Sequence, residues 1–297
     1  MRVFISYDLT DSPWGGGNQF LKNLKKYLIE EGLYCESPEN ADIILYNGHQ
    51  FIEETLLIKK RYPNKTFVHR MDGLQKLYND SSDTRQDLAI NFNKLSNATI
   101  FQSQWAKDEF NKFNFNPEKS TVILNAADPE IFYNTEKTKT NAKINLLCTS
   151  FSNNLNKGFL FYKELDDILD FQQFNFTFIG NKPDNITYKN IECLPPKTTI
   201  EIAERLKQTD VFVSATVNDC CSNSIIEALT SGVPVLAQNS GGNPELVGQG
   251  GELFKNIDEF VFNLQKITLN IDFYKKFINI KTMKQIASDY VEFFKCI

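Results

Sequence analysis

The chain has 297 residues, of which 41% are hydrophobic and 13% aromatic, with 25 Phe. That is enough apolar material for two cores of about 150 residues each, and it excludes a disordered chain. A formal net charge of -5 argues against a broad nucleic-acid or anionic-membrane footprint, so no nucleic-acid partner is expected. Strands are expected first at residues 3–6, 43–46, 66–69, 99–102 and 121–124, where short apolar runs lack helical spacing. Helical patterns at 18–31, 53–61, 84–95 and 104–111 alternate with them. The polar stretch 129–143, rich in Asn, Thr and Lys, reads as a linker. A second series follows, with strands at 144–149, 175–179, 211–214 and 233–237 and helices at 158–171, 198–208 and 224–231; from residue 258 the pattern is helical to the end.

Strands that are apolar on both faces and alternate with helices form parallel sheets wrapped by helices. The fold class is therefore α/β, with two Rossmann-like doubly wound parallel-sheet domains facing a cleft. The boundaries fall at 1–137 and 138–268, with a helical segment at 269–297. No apolar run reaches the ~18 residues of a membrane span, so no integral membrane segment is expected. The six cysteines contain no Cys-x-x-Cys pair and no zinc-like spacing with His. They read as reduced thiols, Cys148 and Cys193 buried in strands, and a cytoplasmic location follows.

The most informative stretch is 211–247, VFVSATVNDCCSNSIIEALTSGVPVLAQNSGGNPELV. It reads as strand, polar loop, a helix opening at Ser222, Asn223 and Ser224, a second strand, and a Gly-Gly turn into another helix. Helix N-termini present unpaired N–H groups and a positive dipole, which suits a diphosphate. Earlier, Gly15-Gly16-Gly17-Asn18 follows the first strand and opens the first helix, near Pro13 and Trp14. Gly16, Gly17 and Asn18 are candidate phosphate or sugar contacts, and a plain turn is the alternative. Lys157 stands before Gly158 at a predicted helix start, where the dipole disfavours a cation unless an anion binds there. Of the two histidines, His49 and His69, the segment Val68-His69-Arg70-Met71-Asp72-Gly73 favours His69, with Asp72 beside it or forming an ion pair with Arg70.

The stretch resembles the donor-sugar signature of the retaining glycosyltransferases of family 4 (glycosyl transferases group 1). The matching residues are Asp219, seven residues, Glu227-Ala228-Leu229, then Gly232-Val233-Pro234-Val235 and Gly241-Gly242-Asn243-Pro244-Glu245. Family members most often have Glu where Asp219 stands. The segments Phe101-Gln102-Ser103-Gln104-Trp105 and Val122-Ile123-Leu124-Asn125-Ala126-Ala127-Asp128 are similar to family landmarks as well. The resemblance implies the GT-B fold, with an acceptor-side first domain, a donor second domain and C-terminal helices returning to the first. It implies hexosyl transfer with retention, from a nucleotide diphosphate sugar to a glycan, lipid or protein acceptor.

His69, Asp219 and Glu227 are the implied catalytic residues, Asp219 and His69 orienting the sugar and Glu227 holding the ribose. Lys157, with Ser222, Asn223 and Ser224, would meet the phosphates; many members add an Arg several residues before the Lys, where Ser152 stands here. No cofactor and no metal is expected, because there is no Asp-x-Asp to hold a divalent ion. Two alternatives stay open: a non-catalytic nucleotide-sugar-binding protein, motivated by Asp219 and the missing Arg, and a nucleotide-sugar epimerase. A NAD dehydrogenase is the least expected reading, because the dinucleotide fingerprint is absent.

Overall fold

Short apolar runs flanked by amphipathic helices pair side by side, because a parallel strand needs cover on both faces. The computed structural model describes residues 1–10, 15–135 and 143–297. Pro13, Trp14 and the middle of the expected linker lie outside the described residues. The chain divides into two units, Met1–Ala126 with Lys281–Ile297, and Ala127–Ile280.

The first unit opens with β1 (Val3–Ser6), α1 (Gly15–Glu30), β2 (Ile43–Asn47), α2 (Ile52–Arg61) and β3 (Thr66–Arg70). It continues with α3 (Gln75–Tyr78), α4 (Arg85–Phe92), β4 (Ala98–Phe101), α5 (Gln104–Lys112) and β5 (Ser120–Val122). These strands form a parallel sheet in the order β1-β2-β3-β4-β5, with Val3 opposite Ile43 and Ile43 opposite Thr66. Residues 33–35 run along the other edge of β1, where Val3 N–H donates to Leu33 O and Cys35 N–H to Val3 O. The chain therefore changes sides of β1 before entering β2. Such a reversal opens a crevice at the carboxyl ends of the two strands.

The second unit contains β6 (Ile144–Ser150), α6 (Phe159–Ile168), β7 (Phe174–Gly180), β8 (Glu192–Leu194), α7 (Thr199–Leu206) and β9 (Val211–Ser214). It ends with α8 (Asn223–Thr230), β10 (Val235–Gln238), α9 (Asn243–Val247), β11 (Gly251–Phe254), α10 (Ile257–Leu269) and α11 (Ile271–Lys276). Its strand order is β11-β10-β9-β6-β7-β8, all neighbours parallel, so the reversal lies between β6 and β9. One core packs Leu146, Phe176 and Val213 of the sheet against Phe159, Tyr162 and Leu165 of α6. Cys148 lies in it, but Cys193 is exposed on the short strand β8, correcting the expectation that both are buried.

The last helix, α12 (Met283–Lys295), belongs to the first unit. A capping box between Thr282 and Gln285 starts it, and Phe20 of α1 lies 5.7 Å from Tyr290, ring centre to ring centre. The unit boundaries fall after Ala126 and Ile280, where the sequence suggested 137 and 268. Among the described residues no helix is long and apolar enough to cross a membrane.

Candidate functional site

In the second unit the loops after β6 and β9 meet where the strand order reverses. The loop after β6 ends in a 3-10 turn, Leu155–Lys157, started by Asn154, whose side chain accepts from Asn156 N–H. Gly158 follows at φ +85°, and a Cβ there would lie 2.4 Å from Ala215 Cβ and 2.6 Å from its carbonyl oxygen. Only glycine lets this turn rest on the residue after β9. Val217 N–H then donates to Asn156 O at 2.8 Å. Lys157 so reaches Asp219, with 2.9 Å between Nζ and Oδ2 and both side chains under one-fifth exposed, at 18% and 17%.

Lys157 is thus the last residue of a 3-10 turn, not the first of a helix, and a carboxylate answers its charge. Asp219 and Glu227 do not share a helix, since α8 begins only at Asn223. Asp219 is a loop residue. Its Oδ1 accepts Cys221 N–H at 3.1 Å, and its carbonyl accepts Gly242 N–H at 2.8 Å. A Cβ on Gly241, at φ +63°, would stand 2.3 Å from that carbonyl. Asn243 ties the ends of β9 and β10 together by donating to Thr216 O and Gln238 O, each at 3.0 Å.

At the start of α8, Ser222 makes no capping bond; its hydroxyl pairs with that of Ser224 at 3.0 Å. Glu227 lies one turn further on, half-buried, and its carboxylate makes no hydrogen bond or ion pair among the described residues. Burial pushes its carboxyl up to about 8. A cavity of about 590 Å³ opens at the amino ends of β6 and β7, beside Asn145, Asn175 and Arg205, at the other end of the strands from these loops.

In the first unit the crevice at β1 and β2 holds a polar network. Arg70 is fully buried; its Nη1 donates to Asn47 Oδ1, its Nη2 to Asn125 Oδ1 at 2.7 Å, and its guanidinium lies over Phe20 at 4.6 Å. Asp72 Oδ1 is 3.6 Å from Arg70 Nη1 and accepts from Asn47 Nδ2 at 3.0 Å, so the suggested ion pair forms. Gly17 sits beside the network: a Cβ there would be 3.4 Å from Asn47 Nδ2 and 3.9 Å from Asp72 Oδ1. Gly16 is exposed at the start of α1. Asn18 is spent otherwise. It is 2% exposed, its Oδ1 accepting from Thr10 N–H and its Nδ2 donating to Thr10 O, so its side chain clamps the loop and is not offered to a substrate.

The expectation that His69 lines the cleft is corrected. His69 is fully buried; Asn93 Nδ2 donates to its Nδ1 at 3.0 Å, so its Nε2–H donates to Gly48 O at 2.9 Å, and Tyr46 stacks on the ring at 4.3 Å. Burial pushes the ring down to about 4. It is a strut of the sheet. Asn47 and Asn125, which the sequence did not single out as site residues, carry the network; a buried Asn at or just past a strand end was the available signal.

Residues 143–270 match the family model described as Glycosyl transferases group 1. No curated protein matches the sequence. Among solved structures, the chain is similar to sucrose-phosphate synthase from Thermosynechococcus elongatus, with a TM-score of 0.76 at 11% identity over 99% of this chain and 97% of that one. It is also similar to Anabaena HepE, solved in complex with UDP and glucose, with a TM-score of 0.74 at 14% identity over 99% of both chains. A third similarity is to α,α-trehalose 6-phosphate synthase from Burkholderia multivorans, with a TM-score of 0.63 at 11% identity over 94% of this chain and 76% of that one. Residues 143–270 are accordingly a glycosyltransferase domain of group 1, carried on a chain with the GT-B fold.

Proposed function

We propose that the protein transfers a hexose-type sugar from a nucleotide diphosphate sugar to a hydroxyl of a glycan, lipid or protein acceptor, with retention at the anomeric carbon. The observation that carries this reading is the Lys157–Asp219 pair at the reversal between β6 and β9, beside the start of α8. A leaving diphosphate gathers negative charge as the glycosidic bond breaks. Lys157 exchanges Asp219 for a phosphate oxygen, and the first N–H groups of α8, at Asn223 and Ser224, meet the rest. A preorganised donor of this kind contributes about 3 kcal/mol to the transition state. Released from Lys157, Asp219 accepts from a sugar hydroxyl, while Glu227, unpaired among the described residues, takes the ribose hydroxyls. The departing phosphate removes the acceptor proton, so the scheme needs no cofactor, and a chelator is expected to leave the rate unchanged. The cytoplasmic location is proposed on six free cysteines.

HepE is a UDP complex, so UDP-sugars head the test panel, followed by GDP- and ADP-sugars. Calorimetric titration should show one of them binding wild type and losing at least about tenfold affinity in Glu227→Ala and Lys157→Ala, the loss of one hydrogen bond or more. The anomer of the product, read by NMR, decides retention. If no nucleotide sugar binds the folded protein, the reading falls.

A further inference from the structure

The crevice of the first unit holds a second histidine that the network does not use. His49 follows β2 and is half-buried, with its Nδ1 enclosed and without a hydrogen-bond partner among the described residues. An enclosed lone pair is cheaper to leave unpaired than an enclosed N–H, so the neutral ring keeps its proton on Nε2, as a donor. Burial lowers the tendency of this ring to protonate; Asp72 and Asp83 oppose that and Arg85 reinforces it. Arg85 and Asp83 are paired with each other at 2.5 Å. Asp72 packs against Gly48, the residue before His49, and among the described residues no hydrogen bond joins Asp72 to His49.

Asp72 has one oxygen committed and one not. Its Oδ1 takes Asn47, Arg70 and, at 3.4 Å, Gln102, whereas Oδ2 accepts no hydrogen bond among the described residues. Gly48, at φ +53°, packs against it: a Cβ there would stand 2.2 Å from Oδ2 and 2.8 Å from Gln50 Oε1, so only glycine fits beside the carboxylate. Tyr7, just past the end of β1, and Phe51, just past the end of β2, pack edge to face at 4.7 Å. An N–H donor, a carboxylate acceptor and an aromatic pair at a strand-order reversal match one ligand chemistry.

We infer that His49 Nε2–H and Asp72 Oδ2 together recognise hydroxyl groups of a neutral sugar, making the acceptor an uncharged polyol at this site. A hydroxyl both accepts and donates, and so satisfies the pair. A phosphate or carboxylate only accepts and would meet the Asp72 charge, while Arg70 is fully buried and its Nη atoms are bonded to Asn47 and Asn125. The assignment of this sugar as acceptor rests on the transferase reading above.

The chain has only two histidines, so the imidazole NMR spectrum separates His49 from the locked His69. The probes are glucose, galactose and N-acetylglucosamine, each against glucose 6-phosphate and glucuronate, in wild type, His49→Phe and Asp72→Asn. A neutral sugar is expected to move the His49 signals and leave those of His69 in place. Its affinity should exceed that of the charged sugars, and fall in Asp72→Asn, by roughly tenfold. In His49→Phe, sugar binding followed by saturation transfer should weaken similarly. If water alone fills the gap, no neutral sugar moves His49 and the inference is overturned; a preference for the charged sugars overturns it equally. Nucleotide-sugar titration of the same samples shows that the variants are folded and tests the donor site separately. Donor binding without a His49 response sinks this inference alone; a His49 response without donor binding sinks the transferase reading, and with it the sugar's assignment as acceptor, while the sugar site at His49 and Asp72 stands.

Discussion

Glu227 carries its proton further up the pH scale than an ordinary glutamate, because burial disfavours the ion. Between the usual glutamate range and about 8, the folded chain holds a proton that the unfolded chain has released, so stability falls as pH rises through that window. Glu227→Gln removes the ion. Its melting temperature should match wild type near pH 5 and exceed it at pH 8.5 by a few degrees, the partial exposure discounting the effect to about 1–2 kcal/mol. Equal melting temperatures at both pH values would show that the carboxylate is solvated. His69 works in the opposite sense: its ring is pushed down to about 4, so the unfolded chain takes up a proton that the folded one refuses. Stability is lost as pH falls from the ordinary histidine range toward 4. His69→Ala strands Asn93 and the Gly48 carbonyl and should cost about 2–4 kcal/mol in denaturant melts, with a flatter acid limb. Sequence spacing did not distinguish the two histidines, since both follow strand positions. Alternation along β3 turns His69 onto Tyr46 and Phe92 and Arg70 onto Phe20, and which face is packed shut is a tertiary fact.

Strands and helices with an apolar face were legible because their periodicity is a local property. Strands β1 and β9 fell, whole, where the apolar runs placed them. Strand β11 did not show, being four residues long with Gly251 at its start, and β8, three residues long, showed only as the strand-like run around Cys193. The glycine turns were visible as letters, but not what each avoids. Gly241 and Gly248 both hold positive φ, yet a Cβ at 241 meets the Asp219 backbone at 2.3 Å while one at 248 meets nothing within 4 Å. Gly248→Ala should therefore cost only the backbone term, about 1 kcal/mol. Gly241→Ala must also shift the Asp219 loop, and should cost at least about 2 kcal/mol and weaken nucleotide-sugar binding. Gly232 lies between them, because the atom its Cβ would meet, at 2.4 Å, ends the exposed side chain of Asn134. Urea melts of the three alanine variants would reveal the order; equal losses would mean that φ alone decides.

At the scale of the molecule, two series of alternating elements announced two sheets, whereas the membership of the last helix in the first unit follows from no periodicity. Residue 283 is more than two hundred positions from residue 20, and only packing relates them. Helix α12 brings Met283, Ile286, Ala287, Tyr290, Val291 and Phe294 into the cluster formed by Phe20, Leu21, Leu24 and Leu28 of α1 with Val3, Ile5 and Leu45 of the sheet. Burying a large apolar side chain contributes about 1.5–3 kcal/mol, so this helix contributes an amount comparable to the ~5–15 kcal/mol that holds a whole domain folded. Removing Lys281–Ile297 should therefore unfold the first unit and spare the second, whose core draws on α6, α10 and its own sheet. Hydrogen exchange reads this directly: amides of β1 to β5 lose protection in the shortened chain, and those of β6, β7, β9 and β10 keep it. Retained protection in β1 to β5 would mean that α12 only covers a core stable without it. A point variant separates the helix from its length, since Ile286→Asp buries an unpaired charge where Ile286 is 1% exposed and should reproduce the same pattern with the full chain present.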